Sequence, residues 1–179
     1  MTPTIHRTRR RLVHADARAR FTALGRDEFE GYASLFGIAD SSGDVVAPGA
    51  FARSLRARGP SRVRLLYQHF AHEPIGVWEE IREDASGLYV RGRILTALER
   101  GRDTLALLRE GALDGLSIGF RTVRAKRDAA RGTRTLLEIE LWEISVVTFP
   151  LLAGSLVTAV GANDDAAAEI RRTAQVLRA

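Results

Sequence analysis

Apolar and polar residues alternate along much of the chain, a period-2 pattern that predicts strands. Residues 28–36 read as a first strand. In residues 63–69 the odd positions Val63, Leu65, Tyr67 and His69 share one face. Residues 75–81 and 87–94 form a predicted β-hairpin, joined by the turn Glu83-Asp84-Ala85-Ser86-Gly87. Two more strands follow over 116–123 and 134–147, with the basic stretch 124–134 as a loop or hairpin tip. Between them the period turns helical. Over residues 97–112, Leu98, Leu105, Leu108 and Ala112 recur on one side, with Arg102, Arg109 and Glu110 off it. A short helix opens at residues 49–55 and stops at Gly59-Pro60. Residues 164–178, capped by Asn163 or Asp164, carry Ala168, Ile170, Ala174 and Leu177 as the stripe of an amphipathic helix. Strands broken by so few helices do not make a βαβ series. The expected fold is therefore mainly β, a closed antiparallel β-barrel flanked by a few helices.

Composition narrows the class. A chain of 179 residues, 45% apolar, is long enough for one domain with a real core. No window approaches the roughly 18 consecutive apolar residues of a membrane span. The N-terminus has arginines without an apolar run, so neither a secretory signal nor membrane association is expected. The absence of cysteine excludes disulfides, thiolate catalysis and cysteine-ligated zinc, and fits synthesis in the cytosol. Residues 1–26 hold seven arginines against Asp16 alone, which exceeds the net charge of +5 for the whole chain. The basic character thus belongs to an arm, residues 1–26, and not to the body, residues 27–160, or the C-terminal helix, residues 161–179. Phe21 is the one Phe, Tyr or Trp among these arginines, too few to stack on successive bases, so the arm reads as solvated and nucleic acid is not the expected partner.

Candidate chemistry centres on Gly115-Leu116-Ser117-Ile118-Gly119-Phe120. Small residues at Gly-x-Ser-x-Gly spacing can present the Ser117 hydroxyl on a tight, exposed backbone. The α/β-hydrolase elbow is excluded, since there a histidine follows the serine, whereas the last histidine here is His72. A base for Ser117 must come from upstream and the third member from either side; the order His, Ser, acid fits the sequence. His69, on the apolar row of its strand, is one candidate; alone, it reads first as a hydrogen-bonded structural histidine. His69-x-x-His72-Glu73 has metal-ligand spacing but no third site to close a zinc centre, and Asp40 and Asp44 lack the rest of a calcium loop. No metal is expected. In residues 137–149, Glu143 falls on the odd, apolar row with Leu141, Ser145 and Val147, while Glu138 and Glu140 share the other face. A carboxylate buried there needs a partner, either a histidine N–H or one of the many arginines.

Four blocks in order resemble the HK97-type prohead proteases, the serine peptidases that mature tailed-phage capsids. They are Phe29-Glu30-Gly31-Tyr32-Ala33 with Gly43-Asp44-Val45-Val46-Ala47-Pro48-Gly49-Ala50-Phe51; Leu66-Tyr67-Gln68-His69 followed by Glu73-Pro74-Ile75-Gly76-Val77-Trp78; the Ser117 block; and Trp142-Glu143-Ile144-Ser145-Val146-Val147-Thr148-Phe149-Pro150. The resemblance implies a herpesvirus-protease-like barrel, Ser117 as nucleophile, His69 as general base and then acid, and Glu143 as the group that orients His69. It also implies oxyanion donors after Pro150, at the N–H of Leu151 or Leu152, although this chain has Leu151-Leu152 where relatives often have Ala and Asn. The implied activity is an endopeptidase without metal or organic cofactor. It would cut the scaffolding segment of the major capsid protein, and itself, inside the procapsid assembling in the bacterial cytoplasm. Pairing of C-terminal helices would make it a homo-oligomer. The alternatives are a capsid assembly or scaffolding protein that keeps the fold without catalysis, an esterase with the same triad, and a basic nucleic-acid binder.

Overall fold

The computed structural model describes residues 24–162. Eight strands and two helices follow in the order β1 (Glu28–Leu35), β2 (Asp44–Val46), α1 (Ala52–Arg58), β3 (Arg64–Tyr67), β4 (Pro74–Glu83), β5 (Gly87–Ile94), α2 (Glu99–Arg109), β6 (Gly115–Asp128), β7 (Thr133–Val147) and β8 (Val157–Val160). The basic arm and the C-terminal helix of the sequence reading lie outside the described residues.

All eight strands join one sheet in the order β2-β7-β3-β4-β5-β1-β8, with β6 also paired to β7. It is a curled half-barrel, not the closed barrel expected. β8 pairs with β1, and among the described residues β6 meets only the segment just before β8, through the isolated bridge Gly115–Leu156 and not a ladder. Nor is the sheet wholly antiparallel. β2 and β3 both run parallel to β7, with α1 as the crossover between them. Where α1 separates these two strands, the edge of β7 is completed by other groups: Ile139 N–H donates to the Ala50 carbonyl and Leu141 N–H to Ser54 Oγ, 2.9 Å. Such substitutes matter because an orphaned backbone donor in the interior is costly.

The core lies on the concave side, with Phe29, Phe51, Ile75, Leu88, Val90, Leu116, Leu136, Leu141 and Ile144 all without solvent exposure. Phe29 and Trp78 meet edge to face at 5.6 Å. From α2, Leu105 and Leu108 pack inward as the helical period predicts, whereas Leu98 sits at the N-cap and is half exposed. The stretch 124–134, expected as a loop or hairpin tip, is the outer part of the β6–β7 hairpin, whose tip spans only Asp128–Thr133.

Candidate active site

β3 ends at Tyr67, and the next two residues, Gln68 (φ 52°) and His69 (φ 61°), both take the left-handed conformation. Non-glycine residues avoid this region, at a cost on the order of 1–3 kcal/mol each, unless their surroundings hold them there. Here β7 does the holding. Gln68 N–H donates to the Val146 carbonyl at 2.9 Å, and its side chain exchanges hydrogen bonds with Thr148, Nε2 to Oγ1 at 2.7 Å and Oε1 from N–H at 3.3 Å. His69 N–H donates to Ser145 Oγ at 3.1 Å. His69 therefore does not continue the apolar row of its strand, as expected from parity. It stands on a sharp turn with its side chain 43% exposed.

Glu143 reaches the same place through a bulge. Across the β6–β7 ladder Gly119 opposes Glu143 and Phe120 opposes Leu141, so Trp142 has no partner and is half exposed. One extra residue inverts the alternation. Leu141 and Ile144 both enter the core, while Glu143, Ser145 and Val147 turn to the other face. Glu143 is thus not on the row of Leu141, as the sequence parity has it, but the bulge delivers it to His69. His69 Nδ1 and Glu143 Oε1 are 2.6 Å apart, and Ser145 donates its hydroxyl to Glu143 Oε2 at 2.7 Å. An ionised carboxylate only accepts, so the ring carries its proton on Nδ1 and leaves Nε2 free. The Glu143 hydrogen bond raises the His69 pKa above its ordinary value, against the opposing effect of partial burial.

Ser117 is buried on β6, directly opposite Ser145 of β7 and two residues before Gly119. Leu116 faces the core, so Ser117 and Gly119 share the face of Glu143. Ser117 Oγ has no hydrogen-bond partner among the described residues. The structure thus bonds His69 to Glu143 and sets Ser117 on the adjoining rung without a bond to His69. Catalytic contacts of this kind often close only around a substrate.

The two flanking glycines do not make the tight, exposed backbone expected; both lie in strand β6, with Ser117 buried between them. A β-carbon at Gly115 would stand 2.5 Å from the Val147 carbonyl and 2.8 Å from Pro150 Cδ, and one at Gly119 would overlap Glu143 Oε1. Gly119 is the floor on which the carboxylate rests. Gly119→Ala is expected to displace Glu143 and return the His69 pKa toward its ordinary value, measured by NMR titration of the imidazole. An unchanged titration would show that the carboxylate tolerates the methyl group.

The loop after Pro150 returns beside the start of β6, where Leu116 N–H donates to the Ser155 carbonyl at 2.8 Å. The Leu151 and Leu152 carbonyls accept from Ser41 and Ser155, each at 2.9 Å, while their own N–H groups donate no backbone hydrogen bond. His72 stacks on Phe70 with centroids 5.7 Å apart, and Glu73 pairs with Arg100 at 2.8 Å. His69, His72 and Glu73 therefore do not converge as a metal site. The bonding of Ser145 was not foreseen, although Glu143-Ile144-Ser145, two positions apart on one face, contained the signal.

The model of the family described as Caudovirus prohead serine protease matches residues 14–174. The prohead protease of Enterobacteria phage HK97 is 38% identical over 134 residues, covering 73% of this chain and 59% of that protein. This chain therefore spans less than two thirds of that relative's length. The prohead protease of Escherichia phage T5 is 28% identical over 144 residues, 77% of this chain and 67% of its own. Among solved structures, the bacteriophage T4 capsid assembly protease shares the fold at a TM-score of 0.56 and 14% identity, covering 69% of this chain and 82% of that one. On the extent of the family match and the identity to the HK97 protein, the chain belongs to the caudovirus prohead serine protease family.

Proposed function

We propose that this protein is a capsid-maturation serine endopeptidase that cuts the scaffolding segment of a major capsid protein, and its own chain, inside the assembling procapsid. The observation that carries the reading is the 2.6 Å contact between His69 Nδ1 and Glu143, with Ser117 on the adjoining rung. Nε2 of the neutral ring takes the Ser117 proton as Oγ attacks the scissile carbonyl. The imidazolium, stabilised by Glu143, then protonates the leaving amine, and water repeats the sequence on the acyl-enzyme. The N–H groups of Leu151 and Leu152, which no backbone carbonyl claims, are the donors assigned to the oxyanion. Among the described residues the outer edge of β6 beyond Leu116 pairs with no strand, so an extended peptide can lie along it past Ser117.

Co-expression with a capsid protein bearing its scaffolding segment, followed by intact-mass analysis, tests the reading, together with labelling by a fluorophosphonate probe. A folded chain that neither labels at Ser117 nor processes the capsid protein would be the non-catalytic assembly factor instead.

A pH dependence follows from the raised His69 pKa. The base is the neutral ring, so kcat/KM is expected to fall as pH drops through a value above about 6.5, the ordinary imidazole value. Stability has the opposite sign. The charged His69–Glu143 pair contributes fully below the unfolded-state pKa of histidine and is lost as pH rises through the folded one. A pH–rate profile whose acid limb lies below the ordinary value would contradict the assignment of His69 as base.

A further inference from the structure

Ser145 lies on β7 with no solvent exposure, and its hydroxyl both donates and accepts. It donates to Glu143 Oε2 at 2.7 Å and accepts the His69 N–H at 3.1 Å. It is also the residue directly across the ladder from Ser117. One hydroxyl thereby touches the acid, the backbone of the base, and the strand rung of the nucleophile.

We infer that Ser145 is a positioning residue of the site, which aims the Glu143 carboxylate and holds His69 in its left-handed turn. The inference rests on the triad reading above. A carboxylate on a flexible side chain can rotate about its last bond. With Oε2 claimed by Ser145, Oε1 is left in one orientation, toward Nδ1. Among the described residues no other side chain bonds Glu143 besides His69 itself. Arg64, beside Glu143 across the parallel β3–β7 pair, turns its guanidinium to the Ser61 carbonyl at 3.1 Å. Glu138 and Glu140 are engaged by Arg53, Arg58 and Arg121. The positive φ of His69 also needs an acceptor for its N–H, and Ser145 Oγ supplies it. Both effects act on geometry and neither places Ser145 against the substrate, so its loss should appear in kcat and leave KM nearly unchanged.

The test compares Ser145→Ala and Ser145→Thr with the wild type, by cleavage kinetics on a capsid-derived peptide and by NMR titration of His69. Ser145→Ala is expected to lower kcat by on the order of 10²-fold, as for a misplacement of about 1 Å, with KM within about 2-fold. The His69 pKa should fall toward its ordinary value in the same variant. Ser145→Thr, which keeps a hydroxyl, should recover most of both. If Ser145→Ala does not fold, Ser145→Cys fills the volume with a much weaker hydrogen-bonding group and should show the same two losses. A folded Ala or Cys variant that retains either the wild-type kcat or the wild-type His69 titration overturns the inference. Failure of the wild type to cleave, with the His69 shift on Ser145→Ala intact, would overturn the peptidase reading while supporting Ser145 as the residue that aims the pair.

Discussion

Ser117→Ala is expected to leave the protein folded and to reduce cleavage of capsid protein and of its own chain to background. Ser117 Oγ has no hydrogen-bond partner among the described residues, so removing it orphans nothing. The β6–β7 ladder around it is backbone, and alanine fits a site buried between Gly115 and Gly119. The folding cost should therefore be small, with thermal unfolding close to wild type. The chemical cost is the whole covalent route. Loss of a nucleophile from a serine triad lowers kcat by about 10⁶. His69→Ala should be nearly as severe, and the double variant no worse than either, because nucleophile and base act as one unit. His72→Ala, which removes only a stack on Phe70, should change little. Intact mass of the co-expressed capsid protein reads all four. Normal processing by well-folded Ser117→Ala would sink the peptidase assignment.

What was legible beforehand follows from how local each signal is. β1, the β4–β5 hairpin and α2 are long enough for their periods to speak, and all three occur where the pattern puts them. β2 and β8, of three and four residues, are too short for any period and owe their existence to partners remote in sequence, β7 and β1. The same remoteness hides the parallel pairing of β2 and β3 with β7, because alternation does not record strand direction. The three candidate residues Ser117, His69 and Glu143 stand out in the motif blocks, but strand parity misplaces two of them. Parity assumes an uninterrupted strand. β3 stops two residues before His69, and β7 bulges at Trp142, one residue before Glu143. Each irregularity turns a side chain out of the core row toward the other, which places strain and bulge where the proposed chemistry is. The glycines of the Ser117 block were read for backbone freedom, whereas at Gly119 the requirement is space for a carboxylate from the next strand. That requirement is invisible until the ladder is known.

Glu143→Gln is the second large effect, and the structure sharpens its cause. The carboxylate accepts two hydrogen bonds at once, from His69 Nδ1 at 2.6 Å and from the Ser145 hydroxyl at 2.7 Å. An amide has only one oxygen for these two donors. If its oxygen faces Ser145, the amide N–H meets Nδ1 and drives the ring proton to Nε2, the tautomer that cannot deprotonate Ser117. If its oxygen faces His69, the tautomer survives, but no charge remains to stabilise the imidazolium. Both orientations fail, for different reasons. The expected loss in kcat is on the order of 10²–10⁴, the upper figure being that for the matching substitution in the serine-protease template. The His69 pKa should fall with it, because the Glu143 hydrogen bond is the main cause of its elevation. Glu138→Gln and Glu140→Gln supply the contrast. Glu138 pairs with Arg53 at 2.8 Å, and Glu140 with Arg58 and with Arg121 at 2.7 Å. Both precede the Trp142 bulge and have no contact with His69, so their variants should keep activity within a few-fold of wild type. Steady-state kinetics of the three variants decides the matter: if Glu138 or Glu140 is the sensitive position and Glu143 the tolerant one, the bulge does not deliver the acid, and the third member of the triad has been misassigned.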